Sequence, residues 1–473
     1  VYCFADGQNR SSRKREPLVS TYSTAAEVAR VRQHSTVTVR AEPRWDLAFL
    51  GILAYLVIEY TRLGAMFPKL GELQVGKIAI GICAVGYVLY RLSGGKRSNI
   101  GGVDIALMAF LLASFLSACF ARYQEFAWAG FADAVRWVVI FFLISRIVTN
   151  SWRLRVFVFL LLLLNLKLAQ FVIRSYFAQR AFGRSEEFLS RHGVGAGSTG
   201  FFGNAGDLGV AMCVVWPLAG FLFFGERRKF PRLLLLVSSM FFLAAILLCG
   251  SRGALVAAAV TALAACVRNP RRLAATVMVL VLVLGVLFFL PAANKERLRS
   301  ALDWENDPTA SIRIELWRSG LKVIRDHPII GVGPWNFNRT YAEYYASSEP
   351  NPAPWAPHSI YLQALSELGL VGTVPLLVLW VLPLRLNART RKHLLASGLA
   401  GPRSFEYCLA VGLDLALVGF LVSGAFLTVL YYPHLWILLG LSVGLYTTCN
   451  RKGLEKAVAE LESQRRSLPL ASC

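Results

Sequence analysis

The chain has 473 residues, of which 56% are hydrophobic and only 16% charged, with a mean hydropathy of +0.52. A soluble protein carries about 25% charged residues, so a soluble globular fold is excluded and a polytopic membrane protein is expected. The formal net charge of +22 would point to nucleic acid in a soluble chain. Here the Lys and Arg excess of cytoplasmic loops accounts for it, and no tract joins basic and aromatic residues into a nucleic-acid module.

In chain order, residues 1–44 are polar and basic and read as a cytoplasmic arm, with a short helix near 25–32. Apolar runs long enough to span a bilayer follow at 45–60, 77–91, 103–121, 127–146, 153–173, 207–223, 232–249, 252–267 and 272–291. A polar stretch at 292–357 precedes three more runs, at 358–384, 406–428 and 433–449, and 450–473 form a tail. The pattern predicts an all-α fold of about twelve transmembrane helices with both ends on one side. Loops on that side hold the Lys and Arg excess once the long outer loop is set aside, because long loops translocate regardless of charge. Both termini are therefore expected in the cytoplasm, with the outer loops at 173–206 and 292–357 on the far side. The nine cysteines are scattered without CxxC spacing, so neither a disulfide framework nor a metal site is indicated.

The two outer loops exceed what a helix hairpin needs, and long ordered loops are commonly functional. The second carries the richest sequence, from Ser311 to Leu370. Asp307-Pro308 opens a short amphipathic helix and Asp326-His327-Pro328 closes it. Ile312, Leu316, Leu321 and Ile324 are expected along its apolar face. A turn follows at Gly331-Val332-Gly333-Pro334, then an aromatic loop that re-enters the membrane at His358.

Several residues can carry chemistry. Arg252 stands in Gly-Ser-Arg-Gly at a tight helix junction, where a charge is costly unless it is paired or functional. It reads either as a helix-end anchor or as a ligand contact that small neighbours allow a bulky group to approach. Arg313 and Arg318 read as solvated helix faces or as guanidinium forks for phosphate oxygens, joined by Arg184 and Arg191 from the first outer loop. His358 is either structural or a general base, held neutral by the helix N-terminus. Asp133, Arg136, Lys167 and Asp414 fall inside spans, where pairing is the default. No Walker loop, DxD pair or HExxH motif occurs, which argues against nucleotide- or metal-dependent catalysis.

The Ser-Arg-Gly-Ala-Leu turn, Ser311-x-Arg313-x-x-x-Trp317, Asp326-His-Pro-Ile-x-Gly-Val-Gly333 and His358-Ser-x-Tyr-Leu-Gln-x-Leu-x-Glu-Leu-Gly-Leu-x-Gly372 occur in this order. Together they resemble the bacterial O-antigen ligase and polymerase superfamily, over roughly 204–372. The resemblance implies an inverting, metal-independent, GT-C-like membrane glycosyltransferase with a long periplasmic loop containing short helices. It implies a glycan donor on undecaprenyl pyrophosphate, a lipid A-core acceptor, surrounding membrane lipids and no cofactor. It further implies that His358 is the base and that Arg252 and Arg313 hold the pyrophosphate, with Glu367 and Trp317 in packing or orienting roles. The superfamily also contains polymerases that add repeat units on the lipid carrier and protein O-oligosaccharyltransferases, and these motifs do not separate the three. A transporter is the reading of another class; the absence of an internal repeat speaks against it.

Overall fold

The computed structural model describes residues 44–61, 67–93, 101–183, 204–267, 295, 308–345 and 355–467. All regular structure among them is helical: α1 (Leu47–Thr61), α2 (Pro68–Glu72), α3 (Val75–Leu92), α4 (Gly102–Cys119), α5 (Gln124–Ile147), α6 (Ser151–Ala181) and α7 (Ala205–Gly225). Then come α8 (Lys229–Leu248), α9 (Arg252–Val267), α10 (Pro308–Asp326), α11 (Phe337–Thr340), a π-turn (Tyr341–Tyr345), α12 (Ile360–Ala396), α13 (Phe405–Gly424) and α14 (Pro433–Ser467). Among the described residues eight helices, α3 to α8, α12 and α13, are long and apolar enough to cross a membrane, while α1 and α9 are apolar but shorter. The chain is an all-α polytopic membrane protein.

Each expected span except 272–291 overlaps a described helix. That span lies outside the described residues, as do residues 1–43 with the short helix expected near 25–32. Three helices run past their expected ends, α6 to Ala181, α12 to Ala396 and α14 to Ser467. A hydropathy window ends where apolar residues end, whereas a helix continues for as long as its polar side chains find partners. In α14 the extension carries Arg451–Glu455 and Lys456–Glu460 pairs four residues apart. In α12 it carries Arg391, whose Nη1 lies 2.7 Å from Asp414 Oδ2 on α13. Asn387 Nδ2 donates to the other Asp414 oxygen at 2.9 Å. Asp414 is thus neutralised inside the bundle, and Asp133 is likewise paired with Arg136 at 3.0 Å.

The core is built on α7, α13 and α14. Apolar attraction between helices is weak in lipid, so close contact through small residues matters. Gly412 and Gly419 of α13 lie against the α7 backbone at Leu218 and Cys213.

The feature that positions the site is a break in α12. Gly369 has φ 60° and ψ −166°, which is not helical, and the break frees backbone groups that hydrocarbon cannot solvate. The loop after α10 takes them up. Leu370 N–H donates to the Pro328 carbonyl at 2.9 Å and Val371 N–H to that of Ile329 at 3.1 Å. In return, Val332 and Gly333 N–H donate to the Ser366 and Glu367 carbonyls, both at 2.9 Å. Ser117 Oγ of α4 adds a second donor to the Glu367 carbonyl at 2.7 Å. Gly331 (φ 69°) and Gly369 occupy left-handed conformations, and a Cβ on either would collide with the opposing strand of this joint, at Glu367 or Ile329.

Above the joint α10, α11 and the π-turn share a small core of Leu316, Val323, Val332, Phe337 and Tyr341. This corrects the expected helix face. Leu316 is buried, but Ile312 and Leu321 are exposed. The face that packs is Leu316, Ser319, Gly320 and Val323, with Gly320 against Leu362 and Phe337. Leu321 lies on the opposite side of the helix.

Gly331→Ala and Gly369→Ala are each expected to destabilise the protein by about 2 kcal/mol or more, through left-handed strain plus overpacking. Gly398→Ala is the control. It shares a positive φ of 60° but meets only the Lys456 side chain, so its melting temperature in detergent should fall distinctly less.

Candidate active site

His358 lies between buried Pro357 and the α12 cap residue Ser359. Its φ of 45° is left-handed, a region that disfavours a side chain. The conformation is held by a hydrogen bond from its backbone N–H to Thr428 Oγ1, 3.0 Å away, in the turn after α13. Strain retained in this way accompanies functional positions. Burial, and then the positive charge of Arg313, lower the imidazole pKa to about 4. Both effects favour the neutral ring.

Arg313 is half-buried on α10 and close enough for its charge to act on His358. Trp317, four residues on and on the same face, stacks near Phe426 with centroids 6.4 Å apart. Phe426 is also what Gly253 packs against, its side chain 3.1 Å from where a Cβ would lie. The turn at 426–428 thus gathers α9, α10 and the start of α12 into one neighbourhood. Arg252 is the first residue of α9, half-buried, after the Cys249–Ser251 hairpin whose Ser251 Oγ accepts from Ala254 N–H at 3.3 Å. Its small neighbours serve helix packing: Gly253 meets Phe426, and Ser251 and Ala254 meet Gly209 of α7. The sequence reading gave them to ligand access. Arg318 is exposed and turned from the Arg313–Trp317 face. Arg184 and Arg191 lie outside the described residues.

Below His358, buried Glu367 anchors the same turn. Tyr431 O–H donates to its carboxyl at 3.1 Å, Gln363 Nε2 approaches at 3.5 Å, and the Trp335 backbone lies close enough to act on its charge. Gln363 Oε1 accepts from Leu430 N–H at 3.2 Å. One residue further, Tyr432 O–H donates at 2.9 Å to Asp207, which with Asn204 forms the cap of α7. The segment 428–432 is therefore tied to α7, α12 and His358 together. Sequence reasoning missed Thr428, Tyr431 and Tyr432; their only signal was a Thr and paired tyrosines closing an otherwise apolar run.

A cavity of about 830 Å³ opens beside this network and is lined by Ala356, Thr428, Trp335 and Glu367 among others. A larger one of about 1080 Å³ lies at the opposite helix ends, around Arg155, Glu226 and Phe405, away from His358.

Residues 211–377 match the family model for O-antigen ligases. Over this stretch the chain is similar to O-antigen ligases. No curated protein matches it. The matched stretch runs from within α7 into α12 and contains Arg252, Arg313, Arg318, His358 and Glu367. It leaves out α1, α5 and the 428–432 segment. O-antigen ligase domains belong to membrane glycosyltransferase-like enzymes that handle lipid-linked glycans, which accords with a site built at the ends of spanning helices.

Thr428→Val removes the acceptor that holds the His358 backbone, a loss of about 1 kcal/mol, and frees the residue to leave its left-handed conformation. Glycan transfer is expected to fall about tenfold or more, with melting temperature little changed; undiminished transfer would mean that the His358 backbone geometry is immaterial.

Proposed function

We propose that the protein is an O-antigen ligase, transferring a glycan from undecaprenyl pyrophosphate to the lipid A-core oligosaccharide at the periplasmic face of the inner membrane. The observation that carries this reading is a half-buried histidine whose pKa is lowered by burial and then by the nearby Arg313 guanidinium, inside the matched domain. The acceptor hydroxyl oxygen attacks the anomeric carbon from the face opposite the pyrophosphate, inverting it. His358 takes the hydroxyl proton. The carbon–oxygen bond to the pyrophosphate breaks, and the pyrophosphate leaves with the electron pair. Arg252 and Arg313 stabilise the departing anion, with Arg184 and Arg191 of the first outer loop as further candidates. A pyrophosphate neutralised by guanidinium groups needs neither a metal nor a proton to depart.

The resting pKa near 4 makes His358 a weak base before substrate arrives. A bound pyrophosphate offsets the Arg313 charge, and the pKa of His358 then rises toward the range where base catalysis is effective. The donor in this way activates the base that deprotonates its attacker.

The test is transfer by the purified protein from undecaprenyl-pyrophosphate-linked glycan to lipid A-core, with EDTA present. His358→Ala should lower transfer by a factor of about 10² or more. Arg252→Ala and Arg313→Ala should also reduce it sharply, with Lys restoring only part because the fork is lost. Near-normal transfer in both alanine variants would eliminate the pyrophosphate clamp. Longer glycan still on the carrier would identify a polymerase instead, and glycan on Ser or Thr of exported proteins a protein glycosyltransferase.

The pH profile is a separate check. Protonated His358 cannot accept a proton, so the acid limb of kcat/KM, which reports free enzyme, should lie near pH 4. The acid limb of kcat, which reports the substrate complex, should lie at higher pH. Arg313→Gln removes a cation that disfavours imidazolium, so its kcat/KM limb should move upward; an unmoved limb would sever Arg313 from His358.

A further inference from the structure

The cavity of about 830 Å³ beside the Glu367 network has a wall chemistry that the pyrophosphate reading does not use. Trp335 supplies open aromatic surface, backed by the buried rings of Tyr431 and Trp137, and Glu59, Asp133, Arg136 and Arg339 supply charge. The Trp335 and Tyr431 rings lie 6.4 Å apart, inclined at 64°. Trp335 is 43% exposed although its backbone is left-handed at φ 60°, a strained setting close to Glu367. The fold thus sets an open indole in the cavity wall. Around it, the Asp133 carboxylate and Arg136 guanidinium meet at 3.0 Å, and the Arg136 charge also acts on Glu59. Arg339 stands over the Phe126 ring at 5.1 Å.

The signs of these charges matter. An anion site gathers cations, whereas here carboxylates stand beside the arginines in comparable number. Such a mixture suits a neutral ligand with many hydroxyls, each able to donate to a carboxylate and accept from a guanidinium. A pyranose ring adds a flat C–H face that lies on an aromatic ring. The volume falls within the range of small-molecule sites. The cavity shares Thr428 and Ala356 with the surroundings of His358, so a sugar seated there is delivered next to the base. Glu59, Asp133, Arg136 and Tyr431 all lie outside the matched 211–377, so this wall is built by parts of the chain that the family match does not reach.

We propose that this cavity is a saccharide subsite, stacking a sugar on Trp335 and holding its hydroxyls with Glu59, Asp133 and Arg136. The assignment rests on the glycan-transfer reading above. The sugar belongs either to the carrier-linked donor or to the acceptor oligosaccharide, and the experiment separates the two.

The full-length protein in nanodiscs is titrated with two pairs of ligands: undecaprenyl pyrophosphate with and without its glycan, and lipid A with and without its core oligosaccharide. In one pair the sugar-bearing member should bind about tenfold or more tighter, and that pair names the source. Trp335→Ala and Asp133→Asn should each erase most of this advantage while leaving the sugar-free member's affinity unchanged, and Trp335→Phe should restore much of it. Melting curves check that the variants fold, and Asp133→Asn preserves shape should Trp335→Ala unfold. Bare carrier bound with no sugar advantage in either pair, or an advantage that survives both substitutions, overturns the subsite and leaves the pyrophosphate clamp standing. Failure to bind any of the four ligands overturns both.

Discussion

Hydrocarbon does not forgive a broken helix: each backbone amide or carbonyl freed from its ladder must find another partner or carry several kcal/mol of penalty. At Gly369 the chain breaks α12 and meets that requirement with a different piece of itself. The segment 328–333 supplies carbonyls to Leu370 and Val371 and takes up those of Ser366 and Glu367. It behaves as a splint laid into the gap. Because the exchange runs in both directions, neither partner can shift register without leaving buried groups unmet. The two glycines are what permit the backbones to come this close.

That joint fixes everything above it. It sets where α10 begins its return from the loop, and so where Arg313 stands relative to His358. It orients the Pro334-Trp335 turn, whose backbone lies close to the Glu367 carboxyl. Through Glu367 and Gln363 it also fixes the 428–432 segment, which in turn holds His358 in a left-handed conformation. Two residues with side chains, Trp335 and His358, thus sit in a conformational region usually left to glycine, His358 pinned by a hydrogen bond from its own backbone and Trp335 set close to Glu367. Strain of this kind persists only where the surroundings over-determine it, and here the same few contacts over-determine both.

Much of the fold was legible in the sequence because a bilayer imposes a length, and runs of about 20 apolar residues mark it. The helix ends were not, since α6, α12 and α14 continue beyond the apolar runs on pairings such as Arg391 with Asp414, which are contacts between distant segments. The site was half legible. His358, Arg252 and Arg313 stood out because charge and imidazole are rare in such a chain, and a resemblance joined them. The Asp326–Gly333 and His358–Gly372 motifs were both visible, but as separate signals; nothing in one dimension says that they are two halves of one hydrogen-bonded joint. The face of α10 was misjudged at Leu321, because apolar residues at a membrane surface need not point inward. Thr428 and Tyr431 were invisible for a plainer reason. Their value lies wholly in what they touch.

Charge then divides the site into two environments. Around His358, burial and then the Arg313 charge drive the imidazole neutral, and the cationic part of that setting gains when an anion arrives. In the adjoining cavity, carboxylates and guanidinium groups are interleaved with aromatic rings, a setting nearly balanced in charge and suited to a polyol. A lipid-linked glycan has this same division along its length, with a pyrophosphate at one end and uncharged sugar beyond it. Thr428 stands at the boundary, its hydroxyl on the His358 backbone and its side chain in the cavity wall. On the glycan-transfer reading proposed above, the base belongs at such a boundary, since that is where the anomeric carbon would lie.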